Sequence, residues 1–354
     1  MRGAATVICT LGVHRSGTSL VSRMLNLLGV HLGPPHAVAG TGEDNPKGHW
    51  EHHALALLND EILARFGGRW DEPPAFPLSW QRDPRLGDLR EKARQLLTED
   101  FATESLWGWK DPRTCLTLPF WQDLIGPMRY VLCIRNPSAV LASLRRRNGM
   151  MPEKAERLWL THVQSSLAQT SGQPRIFVFY EDLIDDWAPE LRRLAAFIGR
   201  PESGEDPRVH ASVGEFVEKE LCHHRMSMED LVGDQRISFA TKGLYLALRG
   251  HAPRDAPADA AFRVDGAGGS IQSTLDLFGT RSLETWDRTV AAAAERNTLT
   301  QTLQDIHTSC AWRLVTFSRR VIGGLLPAGT RRRRVFNAVL RRMAPRVDID
   351  LRTA

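Results

Sequence analysis

The residues near the N-terminus that are best suited to chemistry form one short loop, GVHRSGTS, from Gly12 to Ser19. The loop combines one cation, Arg15, with small and hydroxyl-bearing side chains, and it follows the β-branched apolar run Thr6 to Thr10. Apolar residues recur at helical spacing from Thr18 onward. Because the first turn of a helix has unpaired backbone N–H groups and partial positive charge, this arrangement predicts an anion-binding site.

The spacing of Gly12 and Gly17 is similar to that of the phosphate loop of nucleoside triphosphatases, which requires Lys after the second glycine. Here Thr18 and Ser19 follow Gly17, and the cation Arg15 lies two residues before it. A nucleoside triphosphatase uses the Lys on the β- and γ-phosphates and a hydroxyl on Mg²⁺. The loop therefore favours a phosphate–sulfate group, which carries one fewer negative charge than the phosphates that such an enzyme binds. A glycine- and serine-rich helix cap is the purely structural alternative.

Charged residues also follow two further predicted strands. Leu106 to Pro112 reads as a strand that ends in Lys110, Asp111 and Arg113, and ligands bind at the carboxyl ends of strands in open parallel sheets. A surface ion network is the alternative for these three residues.

The predicted strand Arg129 to Ile134 is followed by Arg135 and by a helix that carries Ser143 about two turns from its start. The guanidinium and the hydroxyl together could hold a second anion. We expect the next residues, Arg145 to Arg147, to form a solvated helix face.

The stretch from Gly29 to His53 is rich in glycine and proline and reads as a loop that delivers Glu51 near the start of the next helix. A charged loop directly after an anion site can line a substrate cleft, so Glu51 is a candidate functional residue. For His52 and His53 we favour a connector role, because no third metal ligand is evident in the sequence.

Four predicted strands alternate with helical segments over the first 200 residues. The fourth strand, Arg175 to Phe179, ends at Tyr180. This alternation predicts an α/β fold, a three-layer α/β/α arrangement with a central parallel sheet. We predict a domain over residues 1–250, a linker over 251–280 and a helical basic extension over 281–354.

The chain has a net charge of +5, but ten arginines and no acid lie between Ala311 and Val347, and the rest is close to neutral. This distribution argues against a nucleic-acid-binding face. Residues 311–346 are either an amphipathic segment for peripheral contact with a membrane or a helix packed on the domain. Five cysteines without metal-ligand spacing, and no signal or membrane-spanning segment, predict a cytoplasmic protein, with the inner membrane face as the site of any peripheral contact.

The chain resembles the bacterial branch of the sulfotransferases that use 3′-phosphoadenylyl sulfate (PAPS). The resemblance covers roughly residues 5–225 and depends on GVHRSGTSLVSRML, NPKGHWE, GWKDPR and RYVLCIRNPSAVLASL in this order, followed by VFYEDL. It implies the P-loop NTPase-like sulfotransferase fold, PAPS as donor and PAP as product. The implied binding residues are His14, Arg15, Ser16, Gly17, Thr18 and Ser19 for the 5′-phosphosulfate, Arg135 and Ser143 for the 3′-phosphate, and Tyr180 near the adenine.

The implied reaction is transfer of a sulfuryl group to a hydroxyl, or less favourably an amine, without a metal. Arg15 and Lys110 would stabilise the developing charge. Many relatives have Lys at the position of Arg15, and many eukaryotic members carry a catalytic His where Pro112 stands here. The candidate bases are therefore Glu51 first, Asp111 second and His52 third.

Two other functions fit parts of the sequence. A P-loop kinase would need Lys after Gly17 and an Asp to hold Mg²⁺, for which Asp111 is the contender. A non-catalytic anchoring protein would keep the fold and act through its basic tail. A glycan or lipid-linked glycan is the acceptor that the tail and the tryptophan-bearing stretch of residues 67–90 suggest.

Overall fold

The computed structural model describes residues 5–38, 48–217 and 226–251. Four parallel strands form one sheet in the order β2–β1–β3–β4. Their bounds are Thr6–Leu11 (β1), Leu106–Lys110 (β2), Arg129–Ile134 (β3) and Arg175–Phe179 (β4).

Helices connect the strands and cover both faces of the sheet. Those of the first half are Thr18–Leu27 (α1), His53–Arg65 (α2), Gly87–Phe101 (α3), Thr114–Ile125 (α4) and Pro137–Asn148 (α5). Those of the second half are Pro152–Gln169 (α6), Tyr180–Asp185 (α7), Trp187–Phe197 (α8), Pro207–Phe216 (α9), Met228–Gly233 (α10) and Phe239–His251 (α11).

The sheet divides the core into two apolar clusters because successive strand side chains point to opposite faces. On β3, Tyr130 and Leu132 lie in the cluster formed with α2 to α6, whereas Val131 and Cys133 lie in the cluster formed with α1 and α8. Both sets are almost completely buried. The predicted three-layer α/β/α arrangement is therefore confirmed.

The strand register brings the carboxyl ends of all four strands to one edge. Thr10 pairs with Lys110, Leu11 with Leu132, and Ile134 with Phe179. The loop after β1 and the residues that follow the other three strands therefore lie along the same edge, where the sequence analysis expected a ligand site.

The structure also corrects element boundaries. β2 ends at Lys110 and not at Pro112, because Asp111 already begins the turn into α4 and its carbonyl accepts the Thr114 amide. In the stretch 67–90, Trp80 is buried and stacks on Phe76 with 4.0 Å between ring centroids, so it acts as core. The predicted linker 251–280, apart from His251 at the end of α11, and the basic extension 281–354 lie outside the described residues.

Candidate functional site

The loop after β1 has the backbone geometry of an anion cradle. The Ser16 amide and hydroxyl both donate to the Val13 carbonyl, at 3.1 Å and 2.6 Å, which closes the loop on itself. Arg15 and Gly17 have positive φ angles of 72° and 85°. Helix α1 then begins without a side-chain cap and without an acid in its first turn. A helix start of this kind, with partial positive charge and no acidic side chain, favours the approach of an anion.

Three of the predicted binding residues, Arg15, Arg135 and Ser143, contact one another at this loop. The Arg15 Nε donates to the Ser143 hydroxyl at 3.0 Å, across 128 positions of sequence. The Arg135 guanidinium donates to the Arg15 carbonyl at 2.9 Å. The tertiary structure thus joins the loop after β1 to the strand–helix unit β3–α5.

Tyr180, the first residue of α7, closes the other side of this cluster. The guanidinium carbon of Arg135 lies 4.2 Å from the centre of the Tyr180 ring. The same ring packs on Gly17, where a Cβ atom would come within 2.2 Å of its Cδ2. The loop, the arginine and the aromatic ring therefore contact one another directly, and Gly17 is required by both its φ angle and this contact.

Of the remaining loop residues, Thr18 and Ser16 are buried. Ser19 is partly buried, and its hydroxyl donates to the His49 carbonyl at 3.1 Å. This bond ties the start of α1 to the chain that leads to Glu51.

The Lys110 ammonium is buried at the end of β2 and donates to Glu51 Oε1 at 2.7 Å. Burial alone would raise the pKa of Glu51, but the charge and hydrogen bond of Lys110, with Arg113 and His49 adding to them, bring that pKa below its ordinary value. Glu51 is therefore ionised at neutral pH, and it holds the direction of the lysine. The Trp50 backbone before it has a φ angle of 55°.

Asp111 is fully buried in a hydrogen-bond network. Its oxygens accept from Asn59 Nδ2 at 2.7 Å and from the Arg113 guanidinium at 2.8 Å, and Arg113 also pairs with Asp60 at 2.7 Å. Burial raises the pKa of Asp111 to about 6 against the opposing charge of Arg113, and the Glu51 charge adds to the rise. This is a buried network and not the surface one that was the alternative. These hydrogen bonds occupy both carboxylate oxygens of Asp111, which leaves it poorly placed as a base or a Mg²⁺ ligand.

His14 precedes Arg15 in the loop and packs on Trp70, with 4.4 Å between ring centroids. Its Nε2 is buried without a hydrogen-bond partner among the described residues. Burial lowers the pKa of His14 well below its ordinary value, and the charges of His162, Arg113, Lys110 and Arg147 act in the same direction. The imidazole is therefore neutral at pH 7.

His52, the third candidate base, lies in a structural contact. Its Nε2 is 2.9 Å from Asp100 Oδ2, and its ring packs against Gly33 and Phe101. Burial lowers the pKa of His52 even though Asp100 opposes this. The ring contacts α3 and the loop after α1, so His52 is a buried packing residue and not part of a solvated connector. His53 is exposed.

Two polar residues that the sequence analysis missed organise the site. Asn59 lies on the apolar face of α2, and besides Asp111 it bonds Thr117 at 2.6 Å and Trp121 at 2.8 Å. Glu181 accepts the Asn136 amide at 2.8 Å and the Tyr245 hydroxyl at 3.2 Å. A polar residue at an apolar position of the helical period was a signal for Asn59. The segment VFYEDL contains Glu181, but its partners Asn136 and Tyr245 lie 45 and 64 positions away and were not predicted.

The described part of the chain thus presents an N-terminal helix cradle, two guanidiniums and a buried ammonium along one sheet edge. Within these residues, no group of three or more His, Cys, Asp or Glu side chains could hold a metal ion. None of the described helices is both long and apolar enough to span a membrane. The arrangement is suited to binding an anionic substrate and stabilising negative charge that develops on it.

Comparison with known proteins identifies a family. A model described as the sulfotransferase family matches residues 8–204, which is more than half of the 354 residues. No curated protein matches the chain. Similar solved structures include a sulfotransferase, STF9, from Mycobacterium avium, with 16% identity over 63% of this chain and 69% of that chain and a TM-score of 0.37.

Two further solved structures are similar at the same low level. The sulfotransferase domain of the Synechococcus PCC 7002 olefin synthase has 18% identity over 67% of this chain and 88% of that chain, with a TM-score of 0.37. Mouse sulfotransferase SULT7A1, complexed with PAP, has 13% identity over 74% and 89%, with a TM-score of 0.30. Scores this low carry no conclusion about the ligands of this chain.

Proposed function

Because the chain belongs to the sulfotransferase family, whose reaction is sulfuryl transfer, we propose that it moves a sulfuryl group from PAPS to a hydroxyl group and releases PAP. The observation that carries this proposal is the contact of Arg15 with Ser143 at 3.0 Å, together with Arg135 over the Tyr180 ring at 4.2 Å. Two anion-binding elements and one aromatic wall then lie side by side, which matches a nucleotide that carries charge at both its 5′ and 3′ positions.

The loop and α1 would hold the 5′-phosphosulfate. Its donors would be the backbone N–H groups that begin α1 and the Arg15 guanidinium, and the lack of an acid in the first turn of α1 favours an anion there. Arg135 and Ser143 would hold the 3′-phosphate, and Tyr180 would pack near the adenine.

Lys110 would stabilise the charge that develops at the sulfuryl group and on the bridging oxygen of the leaving PAP. Its ammonium is held by Glu51 at 2.7 Å, so it is oriented before the substrate arrives. Preorganised donors of this kind are worth about 10²–10³ in rate each. The sequence-based assignment of Glu51 as the base stays a prediction. Its ion pair with Lys110 lowers the basicity of the carboxylate.

We infer a glycan or lipid-linked glycan as the acceptor, and a peripheral contact with the inner membrane face through residues 311–346. The support is the arginine-rich sequence of that segment, which lies outside the described residues. Deleting residues 311–354 should abolish sedimentation with anionic vesicles and leave PAP affinity unchanged. Unchanged sedimentation would contradict the membrane contact alone.

A kinase is disfavoured because the aspartate that it would need for Mg²⁺ is bound by Asn59 and Arg113, and because Thr18 follows Gly17 where Lys is required. Mg²⁺-dependent ATP turnover would favour it again.

The test is calorimetric titration of PAP, with ATP and Mg²⁺ as the competing ligand. Hydrogen bonds to charged groups contribute about 1.5–3 kcal/mol, so Arg135→Ala should weaken PAP binding by roughly 10- to 150-fold. Ser143→Ala is the milder variant and should weaken it by a smaller factor. Arg129→Ala is the matched control, because Arg129 lies at the opposite end of the same strand and donates to the Phe197 carbonyl at 2.6 Å. Absence of PAP binding by the folded wild type would contradict the proposal.

A further inference from the structure

His14 lies next to Arg15 in the loop after β1 and packs against the stretch of residues 67–90 that follows α2. Its ring contacts Trp70, with 4.4 Å between centroids, and lies 6.4 Å from the ring of His162 on α6. The segment that carries Trp70 is fixed over this place by ion pairs of Lys154 with Asp71 at 2.7 Å and with Glu72 at 3.0 Å. His14 is thus a neutral imidazole within the loop that is proposed to hold the sulfuryl group.

The three candidate bases named from the sequence, two carboxylates and one imidazole, are each bound to other residues. Glu51 is paired with the Lys110 ammonium, Asp111 is bound by Asn59 and Arg113, and His52 pairs with Asp100. The His14 side chain, by contrast, forms no ion pair or hydrogen bond with another described residue, and its buried Nε2 has no partner among them.

We propose that His14 is the general base that takes the proton of the acceptor hydroxyl, with Trp70 as the wall that the acceptor packs against. This inference depends on the proposed sulfuryl transfer and adds a base to it. As the acceptor oxygen forms its bond to sulfur, its proton passes to His14, and the sulfur–oxygen bond to PAP breaks with the electron pair leaving on the PAP phosphate. The proton is later released to solvent, so the reaction gives a sulfate ester, PAP and one proton.

The buried histidine pair indicates which ring nitrogen acts. The Leu158 carbonyl can only accept, so the His162 Nδ1 at 2.8 Å from it carries a proton, and His162 Nε2 has a lone pair. His162 Nε2 and His14 Nε2 are both buried. Neither nitrogen has a hydrogen-bond partner among the described residues, and the ring centroids are 6.4 Å apart, so the two rings are not bonded directly. One water molecule between them would keep the proton of His14 on Nε2. His14 Nδ1 would then carry the lone pair that takes the acceptor proton.

The charges around His14 explain why it is available as a base. Burial lowers the pKa of His14 most, and the charges of His162, Arg113, Lys110 and Arg147 act in the same direction, so the free enzyme keeps it unprotonated. An anionic sulfuryl group bound beside it would raise that pKa again and make it a better proton acceptor during transfer.

The kinetic test uses ³⁵S-labelled PAPS with water, 4-nitrophenol and methyl glycosides as probe acceptors. His14→Asn should lower turnover by about 10²–10⁴ on whichever probe the wild type uses, measured at saturating PAPS so that any change in cofactor affinity does not contribute. Added imidazole should restore part of the turnover of His14→Ala. His53→Asn is the matched control, since His53 is an exposed histidine at the start of α2, and should match the wild type. Turnover by His14→Asn within threefold of the wild type would overturn the inference.

A second measurement needs no acceptor. Nitrogen-15 NMR of the PAP-bound protein, with His14 assigned by the His14→Asn variant, should find it neutral at pH 7 with its proton on Nε2. A charged ring, or a proton on Nδ1, would overturn the inference even if PAP binds. Wild type that binds PAP and transfers nothing to any probe would instead contradict the proposed sulfuryl transfer, which separates the two failures.

Discussion

Gly17 offers the sharpest test of how the site is built. Its φ angle of +85° lies in the left-handed region, and a Cβ atom there would stand 2.2 Å from Tyr180 Cδ2. Carbon atoms normally approach to about 3.5–4 Å, so Gly17→Ala would displace the ring by roughly 1–2 Å. That displacement would separate Tyr180 from Arg135, with which it now stacks at 4.2 Å.

The chain provides a matched control for the backbone contribution. Gly199 has a φ angle of +80°, and a Cβ atom there would meet nothing within 4 Å. Both alanine variants carry the left-handed cost of about 1–2 kcal/mol. Only Gly17→Ala adds overpacking, typically about 1–3 kcal/mol. We expect a loss of unfolding free energy of about 1–2 kcal/mol for Gly199→Ala and about 2–5 kcal/mol for Gly17→Ala.

Urea denaturation gives the unfolding free energies, and calorimetry gives PAP affinity. Gly17→Ala should bind PAP at least tenfold more weakly, whereas Gly199→Ala should bind it like the wild type. Adding Tyr180→Ala to Gly17→Ala should remove the excess destabilisation, because the clashing ring is then absent. Equal losses of stability and affinity in the two glycine variants would refute the proposed contact between loop and ring.

Two further predictions concern buried polar groups. Asn59→Leu should lower the unfolding free energy by about 3–5 kcal/mol, because Asp111 loses a donor while Thr117 and Trp121 lose their shared acceptor. Asn148→Leu changes an exposed residue and is the control. Equal urea midpoints for the two variants would contradict the network. Burial lowers the pKa of His162 to about 4, against about 6.5 in an unfolded chain. As the pH drops, the unfolded state therefore binds the proton first. The unfolding free energy should fall by about 3 kcal/mol between about pH 6.5 and pH 4.

His162→Phe isolates that pH dependence, because the difference between wild type and variant cancels other titrating groups, including Asp111, whose raised pKa acts with the opposite sign over an overlapping range. Identical slopes in the two proteins between pH 6.5 and 4 would show that His162 does not resist protonation.

The sequence by itself determined the order of the elements and the loop after β1. Alternating apolar strands and helical periods are local patterns, and the glycine and hydroxyl residues that surround Arg15 carry their chemistry without reference to distant parts of the chain. The same holds for Arg135 and Ser143, which one strand and the following helix place at a fixed separation.

The sequence was weakest where a role depends on which partner a charged group meets. Glu51, Asp111 and His52 looked alike as candidate bases, and folding gives each of them a different partner: Lys110, Asn59 with Arg113, and Asp100. Those partners are 48 to 59 positions away for Glu51, His52 and the Asn59 contact of Asp111.

Only the tertiary structure decided the local electrostatics of the site. The parallel register fixes which strand ends are neighbours, and packing against α6 and Trp70 buries His14, whose sequence neighbours gave no sign of that burial. A pattern of residue types specifies what a side chain can do. The pKa and the direction of that side chain depend on burial and on charges brought close by folding, and these are properties of the assembled site.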